Sequence, residues 1–373
     1  MTAVGLAVAL ALGATVPPPA VGPGVRTSLP PAPVQLYRTV WQRPLVPVKP
    51  LEVGPQERGG AAVDPQRGLV IVGTRDAWLH AFRPDGTVAW ELKGAGGGFG
   101  TPTIDGDTVY VGSSDGNLYA VAIPTGKARW IYPAKEDVST RPALAGGLVL
   151  VASLQDTIFA VDARTGAWKW HHRREQKADS LTIFGAAAVA VGGGAAFAAY
   201  SDGFVASLDP ATGASRWERR VAPTGTHLDV DSIALDGDRL YAAAYSGAVL
   251  ALDARTGKDL WSFAAPAASR VAVGAGFVFA VTPTSVFGLA PTSGGVLWTA
   301  PLEGSPGAAP VLAGKWLLVP SGAGGLRWLE AATGRSLRHF DPGTGVLAAP
   351  GVGGGRVYVL SNGGDLLALD LAG

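Results

Sequence analysis

Short apolar runs separated by glycine- and aspartate-rich turns recur along the chain. Leu148-Val149-Leu150-Val151-Ala152 is one, and Leu118-Tyr119-Ala120-Val121 and Val249-Leu250-Ala251-Leu252-Asp253 are others. Each is rich in Val, Leu, Ala or Tyr and bounded by polar residues, the pattern of buried strands. The turns between runs read Ser114-Asp115-Gly116-Asn117 or Ser201-Asp202-Gly203. Glycine takes positive φ there without steric cost, and the aspartate can bond amides of its own turn.

A second turn and a tryptophan strand close each unit. The clearest copies are Asp162-Ala163-Arg164-Thr165-Gly166-Ala167-Trp168-Lys169-Trp170, Asp209-Pro210-Ala211-Thr212-Gly213-Ala214-Ser215-Arg216-Trp217 and Asp253-Ala254-Arg255-Thr256-Gly257-Lys258-Asp259-Leu260-Trp261. The marker tryptophans are Trp41, Trp90, Trp130, Trp170, Trp217, Trp261 and Trp298, spaced 37–49 residues apart. An eighth unit carries Thr333-Gly334 but has Arg338 at the marker position. Several strands per unit at this period predict an all-β fold, an eight-bladed β-propeller of four-stranded antiparallel blades. The tryptophans read as structural: a large ring fills the gap between blades and its N–H bonds backbone.

The two ends complement each other. Tyr37-Arg38-Thr39-Val40-Trp41 is a lone strand with no blade before it, and the last unit lacks a tryptophan strand. Pairing the N-terminal strand with the C-terminal blade closes the ring and removes exposed edges. The expected organisation is therefore a leading segment, 1–33, and a propeller, 34–373. The leading segment has an apolar run at residues 4–12, too short to cross a bilayer, followed by a Pro/Gly-rich stretch. It resembles the apolar core of a secretory signal with a linker, without a basic flank, and points to export. A non-cleaved tail is the alternative.

Composition narrows the function classes. Lys and Arg number 30 against 29 Asp and Glu, so no basic stripe invites nucleic acid. There is no cysteine, which excludes disulfides and thiolate chemistry. Gly112-Ser113-Ser114-Asp115-Gly116 matches a nucleophile-elbow string, but a strand rather than a helix follows it, so a blade turn is expected. His171 and His172 read as part of a solvated loop; His80, His227 and His339 show no zinc spacing. Asp105-Gly106-Asp107 and Asp236-Gly237-Asp238 lack the further ligands of a calcium loop and read as hairpin turns. The run at residues 94–100 is glycine-rich but opens no helix, which argues against phosphate binding. No catalytic, cofactor or metal residue is nominated.

The Asp-Ala-x-Thr-Gly-x-x-x-Trp repeat resembles the tryptophan-docking pattern of the pyrroloquinoline-quinone propeller superfamily. Within it, most of 34–373 resembles BamB, the propeller lipoprotein family of the outer-membrane β-barrel assembly machinery. Leu181-Thr182-Ile183-Phe184-Gly185 is similar to that family's Leu-Ser-Leu-Arg-Gly segment, and Asp229-Val230-Asp231 stands at its Asp-Val-Asp. Gly325-Leu326-Arg327-Trp328-Leu329 resembles its Gly-Tyr-Leu-His-Trp-Ile strand, so Trp328 is expected to compensate for Arg338. The resemblance implies a non-enzymatic scaffold in the periplasm, peripherally associated with the outer membrane. Its partner is a POTRA domain of the central barrel-assembly protein, and unfolded outer-membrane β-barrel clients could add strands to blade edges. It further implies that Leu181 and Ile183 are apolar anchors and Asp229 and Asp231 charged partners, each pair facing one side by strand alternation. Phe184 stands where the family has arginine, which would exchange a salt bridge for an apolar or cation–π contact. Without the resemblance, the same residues read as blade packing and a loop cap. The family's lipid-bearing cysteine is missing here, leaving a later start, a free periplasmic form or partner-only attachment. The other functional readings are a quinone-dependent dehydrogenase and a general envelope propeller binding protein or polysaccharide.

Overall fold

The computed structural model describes residues 37–47, 56–174, 187–222 and 229–371. The segment expected at 1–33 lies outside the described residues. The described residues form eight four-stranded antiparallel sheets, and the chain visits them in order around a ring. Blade one comprises Ala61–Val63, Val70–Gly73, Trp78–Phe82 and Val88–Lys93. Blades two to seven repeat this order, and the first strand of each approaches those of its neighbours around the central axis.

Blade eight is built from both ends of the propeller. Gly351–Gly353, Arg356–Leu360 and Asp365–Leu371 supply three strands, and Tyr37–Pro44 supplies the fourth. Tyr37 pairs with Leu371 and Pro44 with Asp365. Arg38 and Arg356 both reach Asp370, at 2.9 and 2.7 Å, so one carboxylate ties the two chain ends together. Ring closure leaves no blade short of a strand, as the complementary ends imply.

The interior is divided. Eight apolar clusters occur, one at each junction between blades, instead of a single core. The middle strands are therefore buried on both faces. Val70, Ile71 and Val72 have no exposed surface, nor do Leu240, Tyr241 and Ala242. That is why they read as continuous apolar runs rather than alternating ones.

All seven marker tryptophans lock neighbouring blades. The outermost strand of each blade carries a register shift beside the marker position. A bulge of this kind re-aims the side chain that follows it. The ring then lies on the turn of the next blade and its Nε1 donates to a carbonyl there: Trp41 to Pro84, Trp90 to Ile123, Trp130 to Ala163, Trp170 to Pro210, Trp217 to Ala254, Trp261 to Pro291 and Trp298 to Ala331. These bonds measure 2.6–3.1 Å. The turn glycine makes the approach feasible. Gly166 has φ +72°, and a Cβ there would sit 2.7 Å from the Trp130 ring.

One local expectation needs correction. His171 and His172 belong to the outer strand Trp168–Arg173 of blade three and not to a loop. His172 Nδ1 meets the Tyr200 hydroxyl of blade four at 2.8 Å. Burial lowers the His172 pKa, with repulsion from Arg174 and His171 adding to it. The pair of basic residues that looked solvated is half engaged in a blade junction, because strand alternation turns His172 inward.

Candidate docking site

Leu181, Ile183 and Phe184 lie outside the described residues. The chain enters that segment after Arg174. Its guanidinium stacks 3.8 Å over the Phe204 ring and its Nε bonds Asp202 at 2.9 Å, while Nη1 bonds Glu218. All three partners belong to blade four or its turn, so Arg174 pins the exit from blade three against the next blade.

Asp229 and Asp231 sit at the entry to blade five, whose first strand is Val230–Asp236. Val230 pairs with Ala244 and Ser232 with Ala243, so Asp231 is the extra residue of a bulge. Simple alternation therefore does not govern the direction of the Asp231 side chain. Asp229 is buried, and its backbone carbonyl accepts a hydrogen bond from the Tyr245 amide at 3.0 Å. Asp231 is half-buried, and neither of its carboxylate oxygens has a hydrogen-bond partner among the described residues.

The electrostatics follow from this placement. Burial raises the Asp231 pKa to about 7, Asp229 nearby pushes it the same way, and Arg270 opposes. Arg270 opens the first strand of blade six, Arg270–Gly274. It donates from Nε to the Gly307 carbonyl and from Nη1 to the Ser269 carbonyl, both at 2.7 Å. Burial lowers its pKa, Asp231 counteracts this, and Arg58 adds repulsion. Ser232 completes the link between the two blades: its hydroxyl lies 3.3 Å from the Val271 carbonyl and accepts from the Val271 amide at 3.2 Å. Sequence reasoning missed Arg270. The one available signal was that it opens the following unit's first strand.

The expected turns are present. Ser114-Asp115-Gly116 joins Thr108–Gly112 to Asn117–Ala122 with no helix following. Asp105-Gly106-Asp107 and Asp236-Gly237-Asp238 each join two strands of one blade. Among the described residues, no three His, Cys, Asp or Glu side chains gather to hold a metal ion.

Comparison with known proteins gives the following. A family model described as outer membrane protein assembly factor BamB matches residues 38–136, 75–287 and 283–373. Among solved structures, BamB from Moraxella catarrhalis superposes with a TM-score of 0.74 at 22% identity, covering 90% of this chain and 100% of that one. The computationally designed Ika8 protein gives 0.72 at 17% identity over 85% and 98%. Quinohemoprotein alcohol dehydrogenase from Comamonas testosteroni gives 0.69 at 16% identity over 90% and 77%. At these identities the three structures establish the propeller fold and nothing finer. No curated protein matches the chain. Because the family model spans nearly every blade, from residue 38 to residue 373, this propeller belongs to the family of outer membrane protein assembly factor BamB.

Proposed function

We propose that the protein is a non-enzymatic scaffold. It docks the POTRA region of the central outer-membrane barrel-assembly protein and supports insertion of β-barrel clients from the periplasmic side. The observation that carries this reading is the family match across the whole ring. The proposed contact surface is the segment holding Leu181, Ile183 and Phe184 together with the blade-five entry holding Asp229 and Asp231.

The local chemistry supports a role for Asp231. Both Asp231 carboxylate oxygens are buried and have no hydrogen-bond partner among the described residues, so a partner that opens the blade-five entry would meet an unused acceptor there. Burial favours the neutral form of Asp231 and Arg270 partly offsets it, so a cationic partner would draw the group toward its charged form. Asp229, being buried, contributes chiefly by holding the entry strand and by shaping the field at Asp231.

Calorimetric titration with the POTRA segment of the host's own barrel-assembly protein tests the reading. Micromolar binding is expected, weakened about tenfold by Asp231→Asn, as for the loss of one charge-assisted contact. No heat from a folded wild type would overturn the scaffold reading. Unchanged affinity in Asp231→Asn would move the contact elsewhere on the ring.

A further inference from the structure

The central channel contains a cavity of about 680 Å³. Its walls come from the first strands of blades one, two, seven and eight, with Val63, Ile104, Val311, Leu312 and Val352 among the lining side chains. Polar side chains, Thr101, Thr103 and Asp105 among them, share the lining, and one cation, Arg141, enters from the connection that leads into blade three.

Arg141 has no carboxylate partner among the described residues. Its Nε donates to the Thr103 hydroxyl at 3.3 Å, and that hydroxyl donates in turn to the Pro142 carbonyl at 2.6 Å. Neither Nη1 nor Nη2 has a hydrogen bond among the described residues, so the outer edge of the fork is open. The side chain is wetted by the channel yet crowded by its walls, and that crowding lowers its pKa. The carboxylates in the cavity do not neutralise it. Asp64 is fully buried and satisfied by Arg67 at 3.1 Å and the Gln66 amide at 2.9 Å. Asp105 is exposed and sits at the far end of the Thr103–Asp105 strand.

A guanidinium fork matches a planar oxyanion, and an apolar wall beside it suits a hydrocarbon or aromatic body. We propose that the channel binds a small organic carboxylate, gripped by the free edge of Arg141, with its apolar body against Val63, Ile104 and Leu312. Arg141, the one cation among the described lining residues, and the Asp105 carboxylate together select a monoanion, since a second negative group reaching Asp105 would be repelled. This site is separate from the blade-five entry and does not depend on the scaffold reading.

Fluorine NMR of 4-fluorobenzoate titrated into the full chain tests the proposal. Saturable broadening is expected in the millimolar range, as for a fragment of this size. The uncharged 4-fluorobenzamide should bind at least about tenfold more weakly, because it cannot accept a charge-assisted pair. Arg141→Gln should lose about tenfold and Arg141→Lys should lose less. Arg129→Gln, on the outer strand of blade two, should change nothing. No saturation by wild type, equal binding of the amide, or full binding by a folded Arg141→Gln would each overturn the proposal.

Discussion

Trp328 and Tyr37 stack with ring centroids 5.9 Å apart and planes 20° from parallel. Tyr37 belongs to the N-terminal strand and Trp328 to blade seven, so the stack spans the one junction where a docked marker tryptophan is missing. Phe340 meets Tyr37 edge-on at 5.5 Å and completes the cluster. The reason lies in ring closure. At the other seven junctions a tryptophan lies on the turn before the last strand of the next blade. In blade eight the last strand comes from the N-terminal side of the chain, with Tyr37 paired to Leu371. Among the described residues an aromatic cluster from inside the blades takes the place of a docked tryptophan there.

Truncating Trp328 should therefore open the closing junction. Trp328→Ala removes a fully buried ring and is expected to cost about 3–5 kcal/mol, with Trp328→Phe costing less. Chemical denaturation followed by tryptophan fluorescence and circular dichroism checks this. A loss below about 1 kcal/mol would mean that Arg38–Asp370 and the strand pairing carry closure without the cluster.

The turn glycines should divide into two classes. Gly166→Ala adds a methyl 2.7 Å from the Trp130 ring at φ +72°, combining backbone strain with overpacking, and should cost about 2–4 kcal/mol. Gly193→Ala has φ +57° but open space around the new methyl, and should cost only about 1–2 kcal/mol. Equal losses in the two variants would show that tryptophan docking adds little to the junction.

Asp231 should imprint a pH dependence on stability. Its folded pKa of about 7 lies above the ordinary carboxylate value of 3.8. The folded state thus holds the proton more tightly than the unfolded one. The stabilisation is fully present below the unfolded pKa and is lost as pH rises through about 7. Arg270 and Asp229 are the charged groups that bear on it, with opposite signs. Thermal midpoints of wild type and Asp231→Asn should diverge between the two pKa values, the variant gaining relative to wild type as pH rises. Parallel profiles would show that Asp231 is hydrated enough to titrate normally.

Removing residues 1–44 should leave blade eight with three strands and an open edge. Size-exclusion chromatography is expected to show association or aggregation, since an unpaired edge recruits another strand. A stable monomer would mean that the first seven blades hold the ring alone.

Much of this architecture was legible in the residues. The spacing of Trp41 to Trp298, the Thr-Gly and Asp-Gly turns and the apolar runs determined eight blades. The unmatched ends determined how they close. These features are local: turn chemistry and strand burial act over a few neighbouring residues, and repetition makes them unambiguous. Only the tertiary structure decided what each feature touches. The turn glycine beside each tryptophan strand serves the tryptophan of the preceding blade, as Gly166 serves Trp130. His172 turns inward to Tyr200, Asp231 falls in a bulge beside Arg270, and Arg141 enters the channel without a carboxylate partner among the described residues. Those relationships join residues on different blades. They depend on the rotation of one blade against the next, which no local preference along the chain specifies.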